Sequence, residues 1–420
     1  MKDNRLSPPR HLAFFSPLPP ERTGIADYSR ELLPYLVKLT SVSIFTEYPE
    51  QVPAELRALA KVYPIERFGS EIWRYDIAVY HMGNSMYHDA LYRVLLRHPG
   101  ITVIHDLGLH HFMAARSVGQ GDFASYAREL GYALGTNGVD LAYQIQQGRA
   151  EPPFSAVPLN ERVLDHSLGV IVHSHYAARW IRDTRPNLPV VTVPAPICAD
   201  LGPLRSRHEL GCSEDTLLFA SAGQVFPQKQ VTFALEAFAR LRVDFPRARY
   251  AVVGDALEQE ELDLRAWLQQ HDLEDAVILT GHLDDLRDFT SWIAAADVLV
   301  NLRSPTVGET SATALRGMAA GRPVIVSDHG WYAELPDDAC VKVAPNDSEA
   351  LYQAMRRLVE NPTLRHGIGQ RAAAYVQRDH SLATAAQRYR DFIDQIVGRV
   401  TDRLARPESR HGEPLGGREN

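Results

Sequence analysis

The chain has 420 residues, 45% hydrophobic and 23% charged, with a formal net charge of −8, an ordinary composition for a globular protein of about two to three domains. That acidic balance excludes a general binder of nucleic acid or anionic membrane, which needs a basic surface. Cys198, Cys212 and Cys340 are widely spaced and form no C-x-x-C pair, so they read as reduced thiols in a cytosolic protein. No apolar run approaches the roughly 20 residues a spanning helix needs, and the first residues lack the apolar core of a signal peptide.

Short β-rich runs alternate with amphipathic stretches along the first half. His11–Phe15, Val42–Thr46, Tyr75–Tyr80, Ile101–His105 and Gly169–Val172 read as buried parallel strands, with helices over Tyr28–Leu39 and Asp89–His98 between them. Residues 121–148 are helical in pattern without a strand, a helical excursion. The Pro-rich VPAPICAD at Val193–Asp200 breaks the alternation and places the lobe boundary at about Val193–Asp215. Strand candidates then resume at Leu217–Ala222, Arg249–Val253, Val277–Thr280, Val298–Leu302 and Val324–Val326, and helices follow from Ser348 to about Val400. The fold class this predicts is α/β, two doubly wound Rossmann-like lobes facing a cleft. The lobes are expected over 1–200 and 201–378, a C-terminal helix over 379–400 returning to the first lobe, and a disordered tail over 401–420.

The chemistry-bearing segments follow strands. PPERTGIADYSREL (Pro19–Leu32) offers Gly24 for a tight turn and Asp27 as a cap for a helix starting near Tyr28; it is either an ordinary βα loop or a ligand loop. YHMGNSMYH (Tyr80–His88) and VIHDLGLHHF (Val103–Phe112) sit at C-terminal strand ends, where open α/β sheets bind ligands, bringing His81, Asn84, His105, Asp106 and His111 near the cleft. None of these histidines has H-x-x-x-H or H-E-x-x-H context, so no metal site is expected. In the second half, Ser221–Leu241 reads as strand, loop and helix with Lys229 in the loop. GETSATALRGMAAGRPVIVSD (Gly308–Asp328) reads as loop, helix and strand, with Thr310 and Ser311 where N-caps belong and Gly321 with Pro323 as a stop. A helix N-terminus fed by a small-residue loop suits a phosphate.

That last unit, the Gly223–Lys229 loop and the Gly24 loop together resemble the retaining, two-lobed glycosyltransferases of the family-4 type, the GT-B fold, over most of residues 11–395. The resemblance implies an acceptor-side first lobe and a second lobe that binds a nucleotide-sugar donor. It implies that Gly24 and Ile25 close over the donor diphosphate, that His105 touches the donor sugar near the reacting carbon, and that Asn84 and Asp106 meet sugar hydroxyls. Gly223 and Lys229 match a diphosphate-binding pair, but Gln224 stands where the family has Arg. His282 and Leu283 would neighbour the base. The family's two glutamates, seven residues apart, align with Gly308 and Arg316; Glu309 lies one residue late for the first role, and Arg316 cannot accept a hydrogen bond. With Glu309 and Arg316 two turns apart on one helix, Arg316 would share a face with Glu309. It either supplies phosphate charge or pairs Glu309, and Arg303 is a second candidate cation.

Glycosyl transfer must stabilise a departing diphosphate and an oxocarbenium-like sugar. There is no Asp-x-Asp in the sequence, so fixed cations and a helix N-terminus are expected to do this without a metal. The expectation is a metal-independent hexosyltransferase with no cofactor, its nucleotide-sugar being a substrate and its acceptor a saccharide, lipid-linked or small-molecule hydroxyl. It would serve polysaccharide or glycoconjugate synthesis in the cytoplasm or peripherally at the inner membrane face, with no nucleic-acid partner and no integral membrane segment. Two other readings stay open: a sugar phosphorylase or epimerase on the same fold, and a non-catalytic subunit of a glycosylation complex, which Arg316 and Gln224 motivate.

Overall fold

The computed structural model describes residues 10–405 apart from Glu214 and Leu257. Residues 1–9, where the signal-peptide reading falls, and 406–420, most of the expected tail, lie outside the described residues.

Apolar runs too continuous to leave one face wet need cover on both faces, and they form parallel sheets. The first sheet contains β1 (His11–Phe15), β2 (Ser41–Thr46), β3 (Lys61–Pro64), β4 (Ile77–Met82), β5 (Gly100–Ile104), β6 (Ser167–Val172) and β7 (Val190–Thr192). Its order is β3-β2-β1-β4-β5-β6-β7. The second contains β8 (Leu218–Ala222), β9 (Arg249–Val253), β10 (Val277–Leu279), β11 (Val298–Asn301), β12 (Val324–Ser327) and β13 (Val341–Val343), in the order β10-β9-β8-β11-β12-β13. Every strand pairing is parallel, and the doubly wound fold class holds. The strands that sequence reading missed, β3, β7 and β13, are all sheet edges. Their three or four residues are mostly only partly buried, so they carry little of the hydrophobic run by which buried strands are recognised.

Each sheet reverses its strand order once, between β1 and β4 and between β8 and β11. Loops leaving the C-terminal ends of those strands diverge and leave a crevice. The helices that matter to it are α1 (Gly24–Leu36), α2 (Phe123–Leu134), α3 (Thr136–Gln146), α4 (His175–Thr184), α5 (Ala312–Ala319), α6 (Pro362–Asp379) and α7 (Leu382–Ala405). The hairpin α2–α3 occupies the 121–148 excursion. Helix α7 packs on α1 and β6 and continues past Val400 to Ala405, correcting the expected start of the tail.

The docking of α7 depends on a missing side chain. A Cβ at Gly169 in β6 would stand 2.8 Å from Ile396 Cδ1 and 2.9 Å from Phe392 Cζ, so the helix lies directly on the strand. Tyr389, Phe392, Ile393 and Ile396 join the core formed by β1, β2, β4, β5 and α1. Removing the Phe392 ring leaves a cavity that this tight contact cannot collapse. Phe392→Ala is therefore expected to cost about 3–5 kcal/mol of stability, measured as a lowered midpoint in urea unfolding followed by circular dichroism.

Candidate active site

The first-lobe wall starts at the ends of β1, β4, β5 and β6. Thr23, extended and accepting from Ile25 N at 3.4 Å, caps α1. The helix therefore begins at Gly24 rather than near Tyr28, and Asp27 lies in its first turn paired with Arg30 at 2.8 Å instead of capping. Asn84 works as a clasp. Its backbone N–H donates to Asp106 Oδ2 at 2.9 Å, its side-chain oxygen accepts from Phe112 N at 2.9 Å, and its amide nitrogen meets His111 Nδ1 at 3.1 Å. Burial pushes the Asp106 carboxyl up to about 6, against the Asn84 hydrogen bond; Glu309 across the cleft adds to the rise and Arg303 opposes it.

Behind this loop lies a histidine cluster. His105 Nε2 and His81 Nδ1 share a hydrogen bond of 3.0 Å. Tyr28 stands edge-on to His105 with ring centroids 4.7 Å apart, and His173 lies 4.9 Å from His105. The Tyr28 hydroxyl bonds that of Tyr389 at 2.7 Å, so α7 braces the cluster. Burial, and then the neighbouring imidazoles, hold His81 and His105 well below the ordinary histidine value; both are neutral at physiological pH.

In the second lobe, Gly223 turns at φ 97°, which a side chain rarely adopts. The freed space holds the Lys229 ammonium: Nζ donates to Ala222 O at 3.1 Å, and a Cβ at Gly223 would stand 2.2 Å from it. Burial first, then the Arg303 charge, pushes the Lys229 amine down to about 7. Arg303 Nε lies 2.6 Å from Glu309 Oε1, both nearly buried, while Glu309 Oε2 accepts from Thr306 Oγ1 at 3.0 Å and Val307 N at 2.8 Å. The cap of α5 is Ser311, accepting from Ala314 N at 3.1 Å and held by Asn301 Nδ2 at 3.0 Å.

Between the lobes these groups enclose a cavity of about 570 Å³. Of the sequence-derived site residues, Gly24, Ile25, Asn84, His105, Asp106, Gln224, Arg303, Glu309, Thr310 and Arg316 line it. Gly223, Lys229 and Ser311 stand just behind that lining. Gly308 is a lobe contact, at φ 82° with Leu107 and Tyr176 where its Cβ would be. His282 and Leu283 fall outside the lining; His282 lies 3.2 Å from Asp284 at the surface and Leu283 packs on the second-lobe core. Among the described residues no group of three or more His, Cys, Asp and Glu side chains gathers as a metal site.

The pairing of Arg316 is a correction. Helix α5 starts at Ala312, so Glu309 precedes it and shares no helical face with Arg316. Arg316 instead crosses to the first lobe, its Nη2 lying 2.6 Å from Glu31 Oε1, with side chains 7% and 12% exposed. Glu31 Oε2 also accepts from Cys198 N in the crossover at 3.1 Å. Three further bonds join the lobes: Gly108 N donates to Val307 O at 2.9 Å, and Glu334 accepts from the N–H groups of His175 and Tyr176 that open α4.

Sequence reading missed Tyr28, Glu31, His88, His173 and the crossover residues Ala195–Ile197 as cavity lining. The signal for His173 was available, since it follows β6 just as His105 follows β5. Glu31 carried none: a glutamate inside an amphipathic helix looks like any solvated one. Cutting either partner of the buried pair strands the other charge, so Glu31→Ala or Arg316→Ala is expected to lose about 3–5 kcal/mol. The double substitution Glu31→Gln/Arg316→Met should recover most of it in a double-mutant cycle of urea midpoints.

Residues 214–361 match the family model described as Glycosyl transferases group 1. The lipopolysaccharide 1,2-N-acetylglucosaminetransferase of Salmonella typhimurium (strain LT2) is 24% identical over 241 residues, 54% of this chain and 62% of that protein. The alpha-D-kanosaminyltransferase of Streptomyces kanamyceticus is 25% identical, over 46% of this chain and 47% of its own. The chain thus spans less than two thirds of either relative. Among solved structures, Anabaena HepE in complex with UDP superposes with a TM-score of 0.64 at 15% identity, covering 92% of this chain and 100% of that one. Sucrose-phosphate synthase from Thermosynechococcus elongatus gives 0.67 at 17% identity, with 93% and 100% covered. The chain has the GT-B fold, and its second lobe matches the glycosyl transferases group 1 family over residues 214–361.

Proposed function

We propose that this protein transfers a sugar, a hexose, from a nucleotide-sugar donor to a hydroxyl acceptor with retention of anomeric configuration and without a metal or cofactor, in polysaccharide or glycoconjugate synthesis. The observation that carries the reading is the convergence, at the switch points of two facing sheets, of the α5 N-terminus, the Gln224 loop and Arg303 on one cavity. Unpaired N–H groups and a positive dipole end at α5 suit the diphosphate, and solved HepE structures hold UDP and UDP-glucose. The Lys229 ammonium lies beside Gly223 and near Thr313 in the first turn of α5, one loop away from that position.

In the proposed reaction the anomeric C–O bond breaks and its electron pair leaves with the diphosphate. Arg303, Lys229 and the α5 dipole stabilise that charge. The acceptor oxygen bonds the anomeric carbon on the face the diphosphate leaves, and its proton passes to a diphosphate oxygen. Glu309, fixed by Thr306 and Val307, faces the sugar. Lobe contacts through Val307 and Glu334 keep the site closed to water. The rival reading, a non-catalytic subunit, is favoured by the Arg316–Glu31 pair in the cavity. It is separated by incubation with UDP-glucose, which a transferase hydrolyses slowly without acceptor and a non-catalytic subunit does not.

Calorimetric titration with UDP and UDP-glucose tests the reading; absence of binding to either overturns it. Lys229→Ala should weaken UDP binding by about 1.5–3 kcal/mol, the worth of a charge-assisted bond. The lysine, at about 7 in the free protein, must be protonated to hold the diphosphate. Wild-type affinity should therefore fall as pH rises through 7 to 9, where binding has to draw a proton onto the amine, and Lys229→Ala should lose that pH dependence.

Turnover of the nucleotide-sugar should survive dialysis against EDTA. Loss of activity restored by Mg²⁺ or Mn²⁺ would contradict the metal-independent route.

A further inference from the structure

Near the end of β4 stands a histidine out of any ligand's reach, bonded to one that is within it. His81 is 0% exposed and packed among rings, the centroids of Phe14, Tyr28 and Tyr389 lying 4.8, 5.7 and 6.3 Å from its own. His105 follows β5, and its backbone N–H donates to Met82 O at 2.9 Å, extending the ladder with β4. That register sets the two imidazoles side by side, ring centroids 5.2 Å apart. Of the two, His105 lines the cavity and His81 does not. His105 Nε2 is taken by His81 Nδ1 at 3.0 Å. His105 Nδ1 has no partner among the described residues and is not a fully buried atom, so it is the nitrogen left for a ligand.

A hydrogen bond between two neutral imidazoles holds one proton, and its position decides what His105 offers. Burial keeps both rings uncharged. If His81 donates, His105 accepts at Nε2 and carries its own proton on Nδ1, as a donor facing the cavity. If His105 donates, its Nδ1 is a bare acceptor and His81 carries its proton on Nε2. That atom is buried without a partner among the described residues, in surroundings made of rings. A buried N–H with no acceptor is rarer than an unsatisfied buried acceptor, and it bears the full cost of lost hydration. The first arrangement prevails. The choice is made on the His81 side of the bond, away from the cavity.

We infer that His81 is a positioning residue that fixes the tautomer of His105. It donates from Nδ1 to His105 Nε2, and the His105 Nδ1–H is thereby presented to the cavity as a neutral donor for an oxygen of the bound nucleotide-sugar. The family resemblance brings His105 to the donor sugar and assigns nothing to His81. A fixed N–H accepts no hydroxyl proton and meets only an oxygen lone pair, on the sugar or on the diphosphate. The tautomer follows from the geometry of the free protein; its effect on binding rests on the nucleotide-sugar reading.

Histidine-selective ¹⁵N labelling tests the tautomer in the free protein, independently of that reading. Long-range ¹H–¹⁵N spectra distinguish a ring protonated at Nδ1 from one protonated at Nε2, and His105→Gln identifies the His105 signals. Protonation of wild-type His105 at Nδ1 is expected; protonation at Nε2 overturns the inference, even should every His81 variant fail to fold. His81→Phe keeps a ring and deletes the donor, so His105 should become a mixture of tautomers. His81→Asn, whose amide can donate from about the place of Nδ1, should restore the single tautomer. Calorimetry with UDP and UDP-glucose reads the consequence. His81→Phe should weaken binding about tenfold, the worth of a single hydrogen bond, for UDP-glucose alone if His105 meets the sugar and for both ligands if it meets the diphosphate. His81→Asn should recover most of that loss, although it fills the space less well. In a His105→Phe background, His81→Phe should cost nothing further. The same loss in both backgrounds, or a greater loss in His81→Asn than in His81→Phe, would mean that His81 only packs and would overturn its positioning role. Failure of wild type to bind UDP, with His105 protonated at Nδ1, would overturn the donor reading instead.

Discussion

A charge buried in this cleft needs a partner, and the Arg316–Glu31 pair is the case on which the lobe arrangement turns. A guanidinium and a carboxylate this buried are costly alone, and their attraction offsets that cost only at close range with the remaining lone pairs occupied. Here the separation is 2.6 Å and the second carboxylate oxygen takes the Cys198 N–H from the crossover. The pair therefore ties together α1, α5 and the connecting segment. Gly308, free of a Cβ, lets the second-lobe loop press against Leu107, and Glu334 crosses to satisfy the N–H groups opening α4. The lobes thus meet through a buried ion pair, a few backbone hydrogen bonds and a small apolar seat of Leu107 and Val307.

The same economy of charge shapes the ligand cavity. Its lining cations, Arg303 and Arg316, are each matched by a carboxylate, and the nearby Lys229 is buried deeply enough for its amine to lie at about 7. A bound diphosphate would thus compete with Glu309 for Arg303 and place a charge beside Lys229 that the free protein lacks. Gln224, where an arginine is usual in the family it resembles, spares the cleft a further buried cation. The first-lobe wall is built in the opposite sense, from neutral imidazoles and one carboxylate whose own burial raises it to about 6.

The amino-acid sequence by itself determined the alternation of strands and helices, the two doubly wound lobes and the strand ends where site residues gather, because those follow from hydrophobic runs, caps and breaks within one segment. His105, Asp106 and Asn84 were legible as cleft residues for that reason, lying just past the ends of buried strands, and Arg303 just after another, whereas Gln224 and Glu309 were picked out by the family resemblance. Edge strands such as β7 and β13 were not legible, since a short, partly exposed edge carries too few buried positions to stand out. Tertiary structure alone decided which charges meet. Glu309 and Arg316 look paired at their spacing, but Ser311 starts the helix after Glu309, and the partner of Arg316 is a glutamate 285 positions away. Burial of Lys229 behind Gly223, its ammonium on the Ala222 carbonyl, likewise depends on backbone brought in by folding. Local pattern specifies elements; electrostatic pairing across a cleft depends on distances that only the folded chain sets.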